Sequence, residues 1–445
     1  MTQFSPQDDF RSWGNVLKAQ HTVARPVWRD QLQSAVLNGR QMGLTLLGAG
    51  LRRSYGDSGL NPGGGMIDMT GVDRIIHFDR EQRLLRAEAG ISFDTLLKVI
   101  VRQGFFLPVT PGTRYVTLGG AVGNDVHGKN HHVNGPIGRW VRRLGLLRSN
   151  GEELDLSPTQ QPDLFAATIG GLGLTGLITW VELELIAIDS AMIDAENIPF
   201  ENVEAFFALA KESEEGFDYT VSWIDCQAKG RSLGRGIFSR GNHAKAGSRL
   251  PDAGNTLFTM PVNLPGIAMN RHSINAFNGL YYWNGKRKAG PARIGLHPFF
   301  YPLDSIGRWN RLYGRNGMYQ YQSVVPPEVQ VDATKEMLKA ISGSGKGSFL
   351  AVLKTFGAVT SPGMLSFPKE GTTLALDFPN HGDDTLRLMR RLDDIVREAG
   401  GRLYPAKDGR MSAEMFQQGY PAWQDFARHV DHGFSSHFWQ RVSQA

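Results

Sequence analysis

Three glycine-rich stretches, all in the first 180 residues and each beside an apolar run, limit what this chain can build. They read GAGLRRSYGDSG (residues 48–59), PGTRYVTLGGAVGNDVHGKNHH (111–132) and GGLGLTG (170–176). Glycine lets backbone approach other groups closely, and turns of this kind bring N–H groups together around an anion. Three such loops in one segment predict a concave backbone surface for an extended ligand with a pyrophosphate and a planar ring.

The loops are not of the common nucleotide-binding kinds. GLGLTG satisfies G-x-G-x-x-G, but DLFAATIG before it reads as helix and LITWVELEL after it as strand. A Rossmann turn has the opposite order. The first loop follows the buried run LTLLGAG, yet lacks the Lys-Ser/Thr pair of a nucleoside-triphosphate P-loop.

Periodicity supplies the frame. In ISFDTLLKVIVRQG, Phe93, Leu96, Leu97, Ile100 and Val101 form one helical stripe, with Ser92 as N-cap and Gly104 as stop. ENVEAFFALAKES also reads as helix, as does DDTLRLMRRLDDIVREAGG, whose Thr385, Leu388, Met389, Leu392, Ile395 and Val396 share a face. YTVSWID, RGIFSR, MYQYQSVVP, SFLAVLKTFG and TTLALDFP read as strands of an antiparallel sheet with flanking helices, so the fold class is α+β. Residues 241–295 show little periodicity, mix apolar with basic residues, and read as a long irregular lid.

Composition excludes several functions. Net charge is +5, with Lys and Arg dispersed rather than in a stripe, which argues against nucleic-acid binding and for a solvated surface. The single cysteine, Cys226, permits no intrachain disulfide or cysteine metal cluster and fits a reducing compartment. No secretory signal and no apolar run of membrane-spanning length is visible, so any membrane contact is expected to be peripheral. His127, His131 and His132 have a spacing that could hold zinc on a helix, but Gly128 breaks such a helix and H-E-x-x-H is absent. No metal is expected there, and local hydrogen bonds in a turn account for His131 and His132.

LLGAGLRRSYGDSGL, TPGTRYVTLGGAVGNDVHGKNHH and ATIGGLGLTGLITWVELEL together resemble the FAD-binding domain of the vanillyl-alcohol-oxidase superfamily. The likeness runs on through FFYPLDSIGRWNRLYG, YQYQSVVP, LAVLKTFG, LDFP and LYPAKDGR, and is similar to its polyprenylphosphoryl-ribose-oxidising family. The resemblance implies a two-part PCMH-type FAD domain, residues 1–195 with 401–445 returning to it, and a substrate domain at residues 196–400. It implies FAD against Gly50, Arg53, Ser54, Tyr55, Gly56 and Asp57 of the first loop. Pro111, Gly112, Thr113, Gly119, Gly120, Asn124, His127, Gly128 and Asn130 of the second follow, then Gly173, Gly176 and Ile178, and Tyr404. Relatives that hold flavin covalently often have His in the first loop; Tyr55 stands here, so non-covalent FAD is expected.

Substrate-side candidates combine pattern and resemblance. Alternation in MYQYQSVV puts Gln320 and Gln322 on one sheet face, as a reader of sugar hydroxyls would be. Lys354 shares a face with Leu350 and Val352, where a buried lysine is unusual unless it meets an anion; the resemblance suggests the substrate phosphate. It also places His127 and Lys407 beside the flavin and the substrate; Trp223 is expected in the wall of the substrate pocket, and Lys129 on the flavin or the substrate. One branch of the family has a cysteine two residues before the Asp of DFP; Ala375 stands there in this chain.

The implied reaction is hydride transfer from C2 of a ribofuranose on a polyprenyl phosphate to FAD, giving a 2-keto sugar. Lys407, Tyr55 and a water remain open as base, and a separate NAD(P)H-dependent short-chain reductase is the implied partner that completes an epimerisation toward an arabinose donor. The implied location is cytoplasmic, peripheral at the inner membrane. Two rivals stand beside this reading. One is a soluble sugar, alditol or aldonolactone oxidase using O₂, which needs no lipid port. The other is a non-enzymatic basic binding protein, which would carry no chromophore.

Overall fold

A computed structural model describes residues 3–250, 254, 256–264 and 269–443. Its first part is built on two sheets. Strands Ser5–Arg11, Lys18–Ala24, Gly65–Asp68 and Leu46–Ala49 lie side by side in that order, the first pair antiparallel and the others parallel. Leu46–Ala49 runs straight into the first glycine loop. Its outer edge is covered by the C-terminal segment: Leu46 N–H donates to Gly433 O (2.8 Å) and Ser435 N–H to Leu46 O (2.9 Å). A five-stranded antiparallel sheet follows, in the order Ile75–Asp79, Leu84–Glu88, Leu177–Glu184, Val141–Leu147, Glu153–Leu156.

One apolar core joins the two sheets, with Leu46 and Ile67 from the first and Leu85, Leu144 and Val181 from the second. Helix Phe93–Ile100 buries Phe93, Leu96, Leu97 and Ile100 there, and its Ser92 cap accepts from Thr95 N–H at 3.0 Å. Gly104, at φ +85, ends the following 3-10 turn as the sequence predicts.

The second part is one eight-stranded antiparallel sheet. Its order is Gly290–Gly295, Met192–Phe200, Gly236–His243, Tyr219–Ile224, Ala351–Phe356, Gly371–Pro379, Met318–Val325, Arg402–Leu403. Strand alternation divides its side chains cleanly. Phe238, Tyr321, Leu353, Leu374, Leu376 and Phe378 face helices Val203–Glu212, Gln330–Ser344 and Asp383–Glu398 and form a second core. Asp383–Glu398 buries the six residues that its periodicity singles out. The other face of the sheet is turned to the glycine loops.

Residues 241–295 differ from the irregular lid expected of them. They contain the end of Gly236–His243, a helix over Arg271–Arg287 and the edge strand Gly290–Gly295. Residues 251–253, 255 and 265–268 of this stretch lie outside the described residues. The helix hid because it buries only Ile274 and Asn278, too few for a visible stripe. Its signal was a start: Asn270 and Ser273 form a reciprocal capping box.

Candidate active site

A cavity of about 1500 Å³ lies between the free face of the eight-stranded sheet and the three glycine loops. Small-molecule sites usually measure about 300–1,000 Å³, so there is room for more than one ligand end to end.

The loops interlock through missing side chains. A Cβ on Gly50 would fall 2.1 Å from Thr117 Oγ1, so the first loop seats against the second only with glycine there. A Cβ on Gly56 would fall 1.5 Å from Asp408 O. Around it Tyr55 N–H donates to Ala406 O (3.0 Å) and Asp57 N–H to Asp408 O (3.3 Å). The first loop is thus clamped by backbone from the far end of the chain. Between these fixed points Arg52 takes a left-handed φ of +54. The N–H groups of Leu51, Arg52, Arg53 and Ser54 have no protein acceptor among the described residues, nor do those of Gly112 and Thr113. Successive unpaired N–H groups around a left-handed residue form an anion-binding nest. Arg53 adds charge, held by stacking over Trp13 (3.9 Å) and by its Nε–H bond to Tyr115 O (3.1 Å).

The sheet supplies the opposite wall. One row crosses five strands: Gln322 pairs with Ala375, Ala375 with Val352, Val352 with Trp223, and Trp223 with Ile237. All five line the cavity. In neighbouring rows Gln320 pairs with Asp377 and Lys354 with Thr373. Trp223 is fixed by its indole N–H bond to Phe349 O (2.9 Å) and packs on Tyr281 (4.5 Å).

The two walls meet at His127. Lys354 Nζ donates to His127 Nδ1 (3.0 Å) and Gly128 O (3.1 Å), while the Gln322 amide lies 3.0 Å from His127 Nε2. Phe356, Phe367 and Tyr404 surround the ring. Burial, and then the Lys354 charge, push the His127 pKa well below the usual imidazole range, so the ring is neutral. A neutral ring accepting at Nδ1 carries its proton on Nε2, which the Gln322 amide oxygen can accept.

Three buried amines share the cavity. Burial lowers Lys129 and Lys354 to about 7 and Lys407 to about 8. Lys129 Nζ donates to Phe299 O, and Lys407 Nζ sits 4.1 Å from the centre of the Tyr55 ring. Burial, and then Asp377, raise the Tyr55 phenol well above its ordinary value. Asp377 is itself fully buried, accepts from Gln320 Nε2 at 2.7 Å, and is raised by burial to about 7.

Every expected site residue lines this cavity except two. Asp57 turns away and is held by Arg441 (2.9 and 3.0 Å), tying the first loop to the C-terminal helix. Asn130 is buried and donates to Pro108 O (2.7 Å), so it shapes the second loop from behind. The local turn bonds expected of the other histidines are also corrected. His132 Nε2 reaches Phe217 O (2.8 Å) in the sheet domain, and His131 packs on Phe356 (4.4 Å) with neither ring nitrogen hydrogen-bonded among the described residues.

Three residues emerge only from the structure. Asp377 was signalled by being the one carboxylate in an apolar strand. Asp304 lines the cavity and accepts from Thr113 Oγ1 (2.6 Å) and Arg114 N–H (2.9 Å), pinning the second loop. Asp125 is fully buried and accepts from Ser361 and Ser366 Oγ and from Gly138 N–H. It anchors the loop that brings Phe367 to His127; nothing in the sequence marked it.

A backbone nest for a pyrophosphate, joined through one histidine to a sheet face of amides and amines, defines an FAD-dependent oxidoreductase. The family pattern described as FAD binding domain matches residues 21–157. Decaprenylphosphoryl-β-D-ribose oxidase of Mycolicibacterium smegmatis is 39% identical over 87% of this chain and 86% of its own length. The chain belongs to that family. A Streptomyces coelicolor protein, "Uncharacterized protein in mprA 5'region", is 30% identical over 76% of this chain and 94% of its own. Mouse L-gulonolactone oxidase is 30% identical over 28% of each chain. The residues present fit FAD: the nest offers unpaired donors to a pyrophosphate, and three amines stand in the same cavity, where anionic charge is favoured. Among the described residues, no helix is long and apolar enough to cross a membrane.

Proposed function

We propose that this chain oxidises the 2′-hydroxyl of a polyprenylphosphoryl-β-D-ribose to the 2′-ketone. The observation that carries this reading is the convergence of Lys129, Lys354 and Lys407 with Gln320 and Gln322 in the cavity bounded by the FAD loops. A sugar phosphate needs amines for its phosphate and amides for its hydroxyls. Beyond them the cavity continues along Trp223, Phe277, Tyr281 and Phe349, an apolar course suited to a lipid tail. Lactones and free sugars have no use for that extension, and mouse L-gulonolactone oxidase matches only 28% of this chain.

Bound FAD would supply the two-electron acceptor for the C2′ hydride. The Leu51–Ser54 and Gly112–Thr113 N–H groups with Arg53 would hold its pyrophosphate, and Tyr55, where covalent relatives often place histidine, would leave the flavin non-covalent. Lys407 Nζ, whose pKa of about 8 leaves a fraction of the amine neutral, takes the hydroxyl proton in that form as the carbon gives up its hydride. Tyr55 keeps its proton and packs under that amine. Lys354 and Lys129 meet the phosphate, and Lys354 also fixes His127 in its neutral form. Ala375 leaves space beside Gln322. A separate reductase returns the ketone to the epimeric alcohol, and the enzyme works at the cytoplasmic side of a membrane. We also divide the chain by its sheets: a cofactor domain before Met192, a substrate domain through residue 400, and a C-terminal segment that packs on both.

Anaerobic mixing tests the reading. Polyprenylphosphoryl ribose should bleach the yellow holoprotein, while free ribose, alditols and 1,4-lactones should leave it oxidised. Bleaching by lactones or free sugars alone would falsify it.

A further inference from the structure

Helix Arg271–Arg287 is covered on one side only. Inward, Asn278 donates to Asp225 Oδ1 (3.0 Å) and Ser348 O (3.3 Å), and Gly285 lies against Ile237. Outward, Ala276, Leu280, Trp283 and Arg287 follow one another at helical spacing and are all exposed. Leu280 is 64% and Trp283 53% exposed, large values for such side chains, and Arg287 lies over the Trp283 ring at 4.7 Å. The short strand Phe258–Thr259 adds a second apolar group: Leu257 is 84% exposed, and Phe258 and Val262 are also exposed.

Other residues of the same two segments reach the cavity. Phe277, Tyr281 and Lys288 of the first, with Thr256 and Leu264 of the second, line the cavity described above. Charge is equally one-sided. Between Asp252 and Asp304 the sequence has no carboxylate, while Arg271, Lys286, Arg287, Lys288 and Arg293 fall within that stretch. Arg293 pairs with Asp194; the other four have no ion pair among the described residues. Aromatic and aliphatic groups ringed by unpaired cations are the composition of a helix that lies in a lipid headgroup layer.

We propose that the outer face of Arg271–Arg287, with Leu257–Val262, docks on an anionic lipid bilayer and turns the cavity mouth toward it. A protein partner would need carboxylates placed opposite Arg271, Lys286, Arg287 and Lys288, whereas an anionic headgroup layer meets such cations wherever they touch it. The proposal rests on the lipid-linked substrate for its purpose, but not for its test.

The test uses holoprotein and extruded vesicles of phosphatidylcholine with or without phosphatidylglycerol, read by co-sedimentation without any turnover. The native chain should bind the phosphatidylglycerol vesicles and be released by salt. Lys286→Glu with Arg287→Glu should weaken binding at least about tenfold, each charge near an anionic surface contributing about 1 kcal/mol. Leu280→Ser with Trp283→Ser should weaken it similarly while FAD content and melting temperature stay at the native values. No binding by the native chain, or native-like binding by both variants, overturns the proposal. So does a native dimer that Leu280→Ser with Trp283→Ser dissolves, which would make this face a subunit interface. A chain that binds vesicles but is not bleached by polyprenylphosphoryl ribose keeps the docking surface and loses the substrate.

Discussion

Lys354 Nζ stands 3.0 Å from His127 Nδ1, one residue from the sheet and the other from the second glycine loop. The amine therefore holds the two halves of the site in register. Lys354→Ala should raise KM and lower kcat/KM by about 2 kcal/mol or more, the range for truncating a buried hydrogen-bonded charge. Ring nitrogen shifts in nuclear magnetic resonance should show His127 titrating at higher pH, because a neighbouring positive charge is gone. An unchanged His127 titration would remove Lys354 from that role.

Lys407 should govern the pH dependence of flavin reduction. Its pKa is lowered to about 8 by burial, so the neutral amine grows as pH rises through that value. Single-turnover reduction should rise with pH and level off above about 9. Lys407→Met should retain FAD, slow reduction by about 10²-fold or more and abolish the rise. A rise that survives in Lys407→Met would assign the proton to another group.

The buried lysines should make the protein more stable in mild alkali. Lys129 and Lys354 are lowered to about 7 and Lys407 to about 8, against about 10.4 in an unfolded chain. Above those lowered values the unfolded chain binds more protons than the native one, so unfolding free energy increases with pH. Each lysine adds up to about 1.4 kcal/mol per pH unit. Urea unfolding between about pH 7 and about pH 9 should show this slope, and Lys129→Met should remove its share.

Ala375→Cys should create a thiol where none is reactive now. The native Cys226 is buried, donates to Ser348 O, and has its pKa pushed up to about 12, chiefly by burial. A disulfide reagent should therefore find no thiol in the folded native chain and one after unfolding. In Ala375→Cys it should find one before unfolding, shielded by bound substrate. A native thiol count that does not change would mean that position 375 is closed to the cavity.

Much of the site was legible because it rests on short-range rules. Glycine loops, the alternation that pairs Gln320 with Gln322, and the inward face of Lys354 follow from local pattern, and the structure puts all of them on one cavity. What was hidden depends on contacts distant in sequence. Asp57 sits in the most informative loop, yet Arg441 claims it; no spacing rule joins those positions. Asp125 and Asp304 matter because of hydroxyls and N–H groups brought to them by folding. Helix Arg271–Arg287 escaped because it buries only Ile274 and Asn278 while Leu280 and Trp283 stay exposed, so the contrast that periodicity needs is missing.

The contact between Gly56 and Asp408 also orders events during synthesis. The first loop emerges early from the ribosome, but the backbone that clamps it, Ala406 and Asp408, is made only after every strand of the eight-stranded sheet. A nascent chain can lay down both sheets of its first part and still lack a finished seat for FAD. Flavin capture should therefore require translation past residue 408, and a chain stalled earlier should stay colourless.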